Sequence, residues 1–382
     1  MSSPYVSTEI ALAVIPKITG LISFLCSSYI VQHVLRNPKR RSQTYHRILL
    51  GMSMGDMVGS FSNFLSTWPI PAGEAWWAIG STLSCDITGF IDQLGSLVTP
   101  LYSGSLATFY VLQLRLEFTK HKIKKVEWLF HAFPIGLGIG FATAGSFLKL
   151  YSNAGFICWI APYPDDCDSP ETCIRGWNYN FYRIAFMYAW VWATLLYVAI
   201  SMLVIFVHTH RVEKSADKYR FSGKDRKKSE AVAFQAFLYV GSFFSTWIFG
   251  SIARILRAIT GKTFYSILIL MATFFPLGGF FNFCIYCRPR YLKAREKNKE
   301  ASSFLIVNSI FSKTVKPILP TNKKPTKEDT TNEECSSPAT SKKTTKEDTT
   351  NEECTPPAPL HIDKILFEKS EQERNHEDDD YY

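Results

Sequence analysis

Apolar residues come along this chain in long blocks rather than at a strand or amphipathic-helix period. Seven mostly uncharged stretches, near 10–35, 47–69, 84–114, 127–149, 182–207, 231–256 and 263–287, are separated by short polar segments. A helix crossing hydrocarbon needs about 20 such residues, because its backbone groups must all be bonded within the segment. Seven in series predict an all-α membrane protein, a seven-transmembrane helix bundle over 10–287 with a short N-terminus at 1–9.

The pattern changes after the seventh block. Residues 288–311 mix basic positions with an apolar run at Phe304–Phe311, as expected of an amphipathic juxtamembrane segment lying on membrane lipid. From 312 to 382 the chain is rich in Lys, Thr, Glu, Asp and Pro. It repeats KKPTKEDTTNEEC (323–335) as KKTTKEDTTNEEC (342–354). Such composition buries too little apolar surface to fold, so a disordered cytosolic tail is expected. Its Ser and Thr beside acidic residues suit kinases and arrestin-like partners; an inert solvated tail fits equally. The mean hydropathy of +0.00 averages these unlike halves.

Charge sets the orientation. The segments after blocks 1, 3, 5 and 7 hold five, five, eight and six Lys or Arg, among them Arg115, Lys124, Lys125, Lys227 and Lys228. The other side shows Lys149, Arg175, Arg183, Arg257 and Lys262, set against Asp165, Asp166, Asp168 and Glu171. Basic loops stay cytosolic, so the N-terminus is expected outside and the C-terminus in the cytosol of a plasma-membrane, multi-pass chain. The net charge of +9 then reports orientation and contact with anionic lipid, not a nucleic-acid partner.

Of nine cysteines, Cys85 heads the third block, and Cys158, Cys167 and Cys173 fall in the long outer loop. That compartment is oxidising. Four cysteines allow three pairings; the expected one is Cys85–Cys158 with Cys167–Cys173.

Charged residues inside spans are costly and are functional candidates. Asp56 lies about ten residues into the second span and needs a partner, either a bound cation or Asn282 of the seventh; a structural hydrogen-bonded acid is the alternative. Asp92, two helical turns below Cys85, either holds a cationic ligand group or pairs with Arg254 or Arg257. Lys17 is expected to snorkel outward. Tryptophans and tyrosines crowd the outer halves, Trp159 among them. Interface belts give that distribution, and a few would line any pocket. No Walker loop, HExxH, G-x-S-x-G or kinase set occurs. His208-x-His210 lacks companion ligands, so no catalysis, metal or cofactor is expected. The seventh span has no lysine, against a retinal Schiff base.

The run FFPLGGFFNFCIYCRPRY (274–291) resembles the P-x-x-GFFN-x-x-x-Y run of G-protein-coupled receptors. It is similar to the cyclic-AMP-receptor-like and secretin-like groups and to related seven-helix receptors of unicellular eukaryotes, diatoms included. CWIAPYP (158–164) looks like that group's second outer loop. The resemblance covers roughly residues 9–300. It implies a helix break at Pro276, close packing at Gly278 and Gly279, and exchangeable hydrogen bonds at Asn282 and Tyr286. It also implies an extracellular ligand and a heterotrimeric G protein that meets the basic loops. Asp56 resembles the second-span acid of rhodopsin-like receptors, where sodium can bind, and Asp92 matches the spacing of an amine-binding acid. The D/E-R-Y run is absent, however. Counting from Cys85 reaches Tyr110 in its place, with Arg115 five residues on. C-W-x-P and N-P-x-x-Y are absent too, which points away from an amine receptor. A seven-span transporter or channel, or a non-signalling scaffold docking through the tail, are the other classes. No matching broken helices mark the two halves, as transporters usually show.

Overall fold

The computed structural model describes residues 4–165, 167, 169–219, 223–262, 264–298 and 302–306, with the side chains of 4–6, 212–233, 258 and 297 outside that set. Seven long helices account for most of the described residues. They are α1 (Pro4–Leu35), α2 (Thr44–Leu65), α3 (Thr82–Tyr110) and α4 (Lys120–Phe147). Then α5 runs as Tyr179–Arg183, a π-helical turn Ile184–Tyr188, and Ala189–Tyr219. The helix α6 spans Gly223–Thr260. Finally α7 runs as Tyr265–Phe274, a 3₁₀ turn Phe275–Leu277 at Pro276, and Gly278–Lys297.

Local chemistry explains the ends. Ser81 and Ser84 cap α3 reciprocally: the Ser81 hydroxyl accepts from the Ser84 N–H, and the Ser84 hydroxyl accepts from the Ser81 N–H at 2.7 Å. The second span stops at Leu65 rather than near 69, because Ser66 turns to φ +48° and donates to Phe156 O at 2.9 Å. The third continues through a π-helical turn, Val111–Arg115.

Five of the seven helices, α1 and α4–α7, are long and apolar enough to cross a membrane; α2 and α3 fall short. The reason is position. Both helices are enclosed by their neighbours and turn Ser53, Asp56, Ser60, Asn63, Asp92, Gln93 and Ser96 inward, so little of either needs to face lipid.

The helices pack in the ring order α1–α2–α3–α4, with α3 also touching α5 and α6, and α7 closing back onto α1. Glycines allow the closest crossings. A Cβ on Gly95 would lie 2.6 Å from Gly59 Cα, so α2 and α3 meet backbone to backbone. At the break in α7 the Gly279 N–H donates to Ser23 Oγ of α1 at 3.0 Å, and a side chain at Gly279 would run into Ser27 Oγ and Ser23 of α1. The chain divides into two compact units, Met1–Arg288 and Pro289–Tyr382. In the second, Tyr291 donates to Ser303 at 3.1 Å and accepts from Arg295 at 3.0 Å.

Candidate functional site

One end of the bundle is covered by a hairpin between α4 and α5. Strand β1 (Tyr151–Asn153) pairs antiparallel with β2 (Cys158–Ile160), Ser152 opposite Trp159. Cys85 at the head of α3 is bonded to Cys158, and Cys167 to Cys173. Arg175 ties the same loop down through an ion pair with Asp86 and a 3.2 Å bond to Tyr151 O. At this end, burial and nearby Asp165 hold the Glu74 carboxyl above its ordinary range.

Trp159 is driven into the bundle by its place on β2. Its Nε1 donates to Gln93 Oε1 at 2.7 Å, and Gln93 Nε2 donates to Phe186 O at 3.0 Å. Two guanidinium groups sit on this indole, Arg183 at 5.5 Å and Arg254 at 5.7 Å from its centroid. Arg183 also lies 4.7 Å from the Tyr179 ring and donates from Nε to Ile160 O at 2.6 Å. Arg254 donates from Nε to the Tyr188 hydroxyl at 3.0 Å.

Asp92 does not join this group. It is buried against α2, where Asn63 Nδ2 donates to it at 3.4 Å, and it makes no ion pair among the described residues. Of the two expectations for Asp92, pairing with Arg254 or Arg257 is corrected: Asp92 lies on the face of α3 that packs on α2 at the Gly59–Gly95 crossing, not on the face toward α6. Lys17 is also corrected. It is buried, donates to Leu65 O at 2.8 Å and sits 4.5 Å over Trp68, so the last carbonyls of α2 hold it rather than water.

In the middle of the bundle Asn282 Nδ2 donates to Asp56 Oδ2 at 2.8 Å, joining α7 to α2. Beside the pair lies a cavity of about 50 Å³, lined among others by Ser60, Asn63, Ser96, Trp247 and Pro276. A water needs roughly 10–15 Å³ of such space and two or more polar partners. Asn63 Oδ1 is buried with no hydrogen-bond partner, so the pocket suits ordered water or one small monovalent cation. No group of three or more His, Cys, Asp or Glu suited to a metal occurs among the described residues. A file of rings links this level to the hairpin: Tyr188 meets Trp247 at 6.5 Å, and Trp247 meets Phe275 at 5.1 Å. Phe275 and Pro276 then form the break in α7.

The opposite end carries the basic loops. Tyr286 of α7 accepts from Arg40 Nη1 at 2.8 Å and lies 2.8 Å from His33 Nδ1. Tyr45 of α2 is bonded to Tyr239 of α6 at 3.1 Å and accepts from Gln235 at 3.0 Å; the buried Tyr110 of α3 lies beside it, with ring centroids 6.3 Å apart. Glu127 of α4 takes a two-pronged salt bridge from Arg47 and a 3.0 Å bond from Thr44. Arg115, Lys124 and Lys125 are exposed at this end. The side chains of Lys227 and Lys228, and the expected tail at 312–382, lie outside the described residues.

Sequence reasoning passed over His33, Arg40, Tyr45, Arg183, Tyr239 and Trp247 as site residues. Arg183 had one available signal, a cation at the mouth of an apolar block. The others are single polar or aromatic residues at block edges, and their partners lie far away in sequence.

The fold is similar to the crystal structure of squid rhodopsin, over 80% of this chain and 85% of that one, with a TM-score of 0.54 and 12% sequence identity. No protein-family model matches the chain, and no curated protein matches it. The likeness establishes a seven-helix, rhodopsin-like membrane fold.

Proposed function

We propose that this chain is a cell-surface receptor of the plasma membrane, N-terminus outside, that passes an extracellular ligand signal to a heterotrimeric G protein. Within that class, the 274–291 run supports kinship with the cyclic-AMP-receptor-like and secretin-like receptors. One observation carries the reading. A packed file from Trp159 and Arg254 through Tyr188, Trp247 and Phe275 reaches the α7 break beside the Asp56–Asn282 pair. A ligand under the hairpin that favours a shifted Tyr188 or Trp247 changes the packing of α6 against α7. Such a ligand acts only through its differential affinity for the two arrangements.

At the basic end, the same shift competes with the Tyr45–Tyr239 and Arg40–Tyr286 bonds that join α2 to α6 and the α1–α2 loop to α7. Releasing them opens a face rimmed by Arg115, Lys124 and Lys125, with Lys227 and Lys228 on α6 as further candidates to meet the G protein. Kinases and arrestin-like proteins acting on the tail belong to the same proposal. The test is a G-protein dissociation screen in cells against broad ligand classes. Agonist-dependent nucleotide exchange that changes in Asn282→Ala is the expected result. Substrate uptake into proteoliposomes holding only this chain, with no effect on any transducer, overturns it.

A further inference from the structure

The hairpin end brings two cations, Arg183 and Arg254, onto one indole ring. Arg183 is only 5% exposed and lies close enough to Arg254 and Arg257 to feel both charges. A buried guanidinium is ordinarily matched by a carboxylate, since an unpaired buried charge is costly. The two carboxylates of α3 are bonded elsewhere, Asp86 to Arg175 and Asp92 to Asn63. Among the described residues Arg183 and Arg254 have no acidic partner. Each uses one of its five N–H donors, Nε, on a protein oxygen. The forked ends of both remain for another acceptor, and both stand on the Trp159 ring.

That arrangement has a direction. Aromatic faces offset part of the cost of burying a cation, but they supply no hydrogen-bond acceptor in the guanidinium plane. A planar oxyanion does, and bidentate pairing with arginine is the strongest such contact. The rings that face the two guanidinium groups are Tyr179, Tyr188 and Trp159, which suit an apolar body attached to the anion. Arg254 is bonded to Tyr188, the first ring of the file leading to the α7 break. An anion drawing Arg254 toward Arg183 competes with that bond.

We propose that the site beneath the hairpin binds an organic oxyanion, a carboxylate on an aromatic or otherwise apolar body, between Arg183 and Arg254. The proposal rests on the receptor reading for its purpose but not for its measurement. Purified full-length protein in nanodiscs is melted in the presence of sodium acetate, indole-3-acetate or its neutral amide, with sodium chloride matching ionic strength. Indole-3-acetate raises the melting temperature saturably, acetate does so more weakly, and the amide does not. Arg183→Gln and Arg254→Gln each weaken the apparent affinity at least tenfold, as loss of a charge-assisted pair requires. Lys262→Gln, an exposed outer cation on another loop, leaves it unchanged. Arg254→Lys keeps the charge and the fold yet still loses affinity, which separates loss of the fork from misfolding.

Stabilisation no greater than chloride gives, or stabilisation that persists in the double glutamine variant, overturns the proposal. Because no G protein enters this measurement, loss of oxyanion binding beside intact nucleotide exchange counts against the oxyanion site alone. Intact binding with no exchange for any transducer counts against the receptor reading alone.

Discussion

Removing the hydroxyl of Tyr239 is the smallest change that tests whether the basic end is latched. In the structure that hydroxyl has its 3.1 Å bond to Tyr45, while Tyr45 keeps a second bond, 3.0 Å from Gln235. Tyr239→Phe therefore deletes one neutral, buried hydrogen bond and leaves Tyr45 a partner. Such a bond contributes about 1 kcal/mol net, a factor of about 5 in a two-state ratio. Basal nucleotide exchange on a coupled G protein should rise about fivefold, and melting temperature should fall slightly. Tyr45→Phe takes the same bond and also the one from Gln235, about 1 kcal/mol more, so its effect is larger. The double variant should resemble Tyr45→Phe alone, because the two substitutions share one bond. A distance measurement between spin labels on exposed Lys124 and Phe237 reads the α4–α6 gap without any G protein. Unchanged exchange and unchanged distances in Tyr239→Phe refute the latch. So do single effects that multiply in full in the double variant.

Other substitutions test other parts of the fold. Cys85→Ser opens a disulfide of sequence separation 73, worth about 4 kcal/mol on the loop-entropy estimate; the melting temperature should drop, and reductant should then lower it further only by the share of the smaller Cys167–Cys173 ring. Glu127→Gln removes the charge that Arg47 grips in two places. A cost of about 1–3 kcal/mol is expected, with a coupling to Arg47→Gln in a double-mutant cycle that an independent pair would lack. Gly95→Ala pushes a methyl into the Gly59 backbone and should cost about 1–3 kcal/mol. Gly241→Ala, which meets open space, should gain about 0.5–1 kcal/mol, and equal melting curves for the two would refute the close crossing.

What could be read without coordinates follows from how far each signal reaches along the chain. Apolar blocks and basic loops are local sums, so each helix lies over its predicted block, though α5 ends 12 residues past it and α6 begins 8 residues before it. Pro276 and the glycines after it mark the break in α7 because their backbone constraints act on the spot. Asn282 was legible as a partner for Asp56 because a buried acid limits its choices. The direction of Asp92 was not legible. Spacing from Cys85 fixes its depth, but the rotation of α3 is set by the Gly59–Gly95 crossing, a contact between distant residues. Tyr45 and Tyr239 are 194 residues apart, and nothing local in either marks the bond. The pairing of Arg183 and Arg254 on Trp159 depends likewise on where the hairpin sets the indole.

The polarity of α2 and α3 bears on how the chain enters its membrane. An acid at the centre of a lone helix disfavours insertion by roughly 2.5–3.5 kcal/mol, and α2 carries Asp56 while α3 carries Asp92. Neither helix has the hydropathy to offset that by itself. Both therefore depend on company during biogenesis, with α1 already seated and offering Gly20, whose missing side chain lets the α2 backbone close in. The small residues at these crossings then act before the bundle exists, as the means by which two reluctant helices leave the insertion machinery together. A bulky residue at Gly20, Gly59 or Gly95 is on this view a delivery fault, visible as wrong topology and early degradation in chains whose hairpin end was never altered.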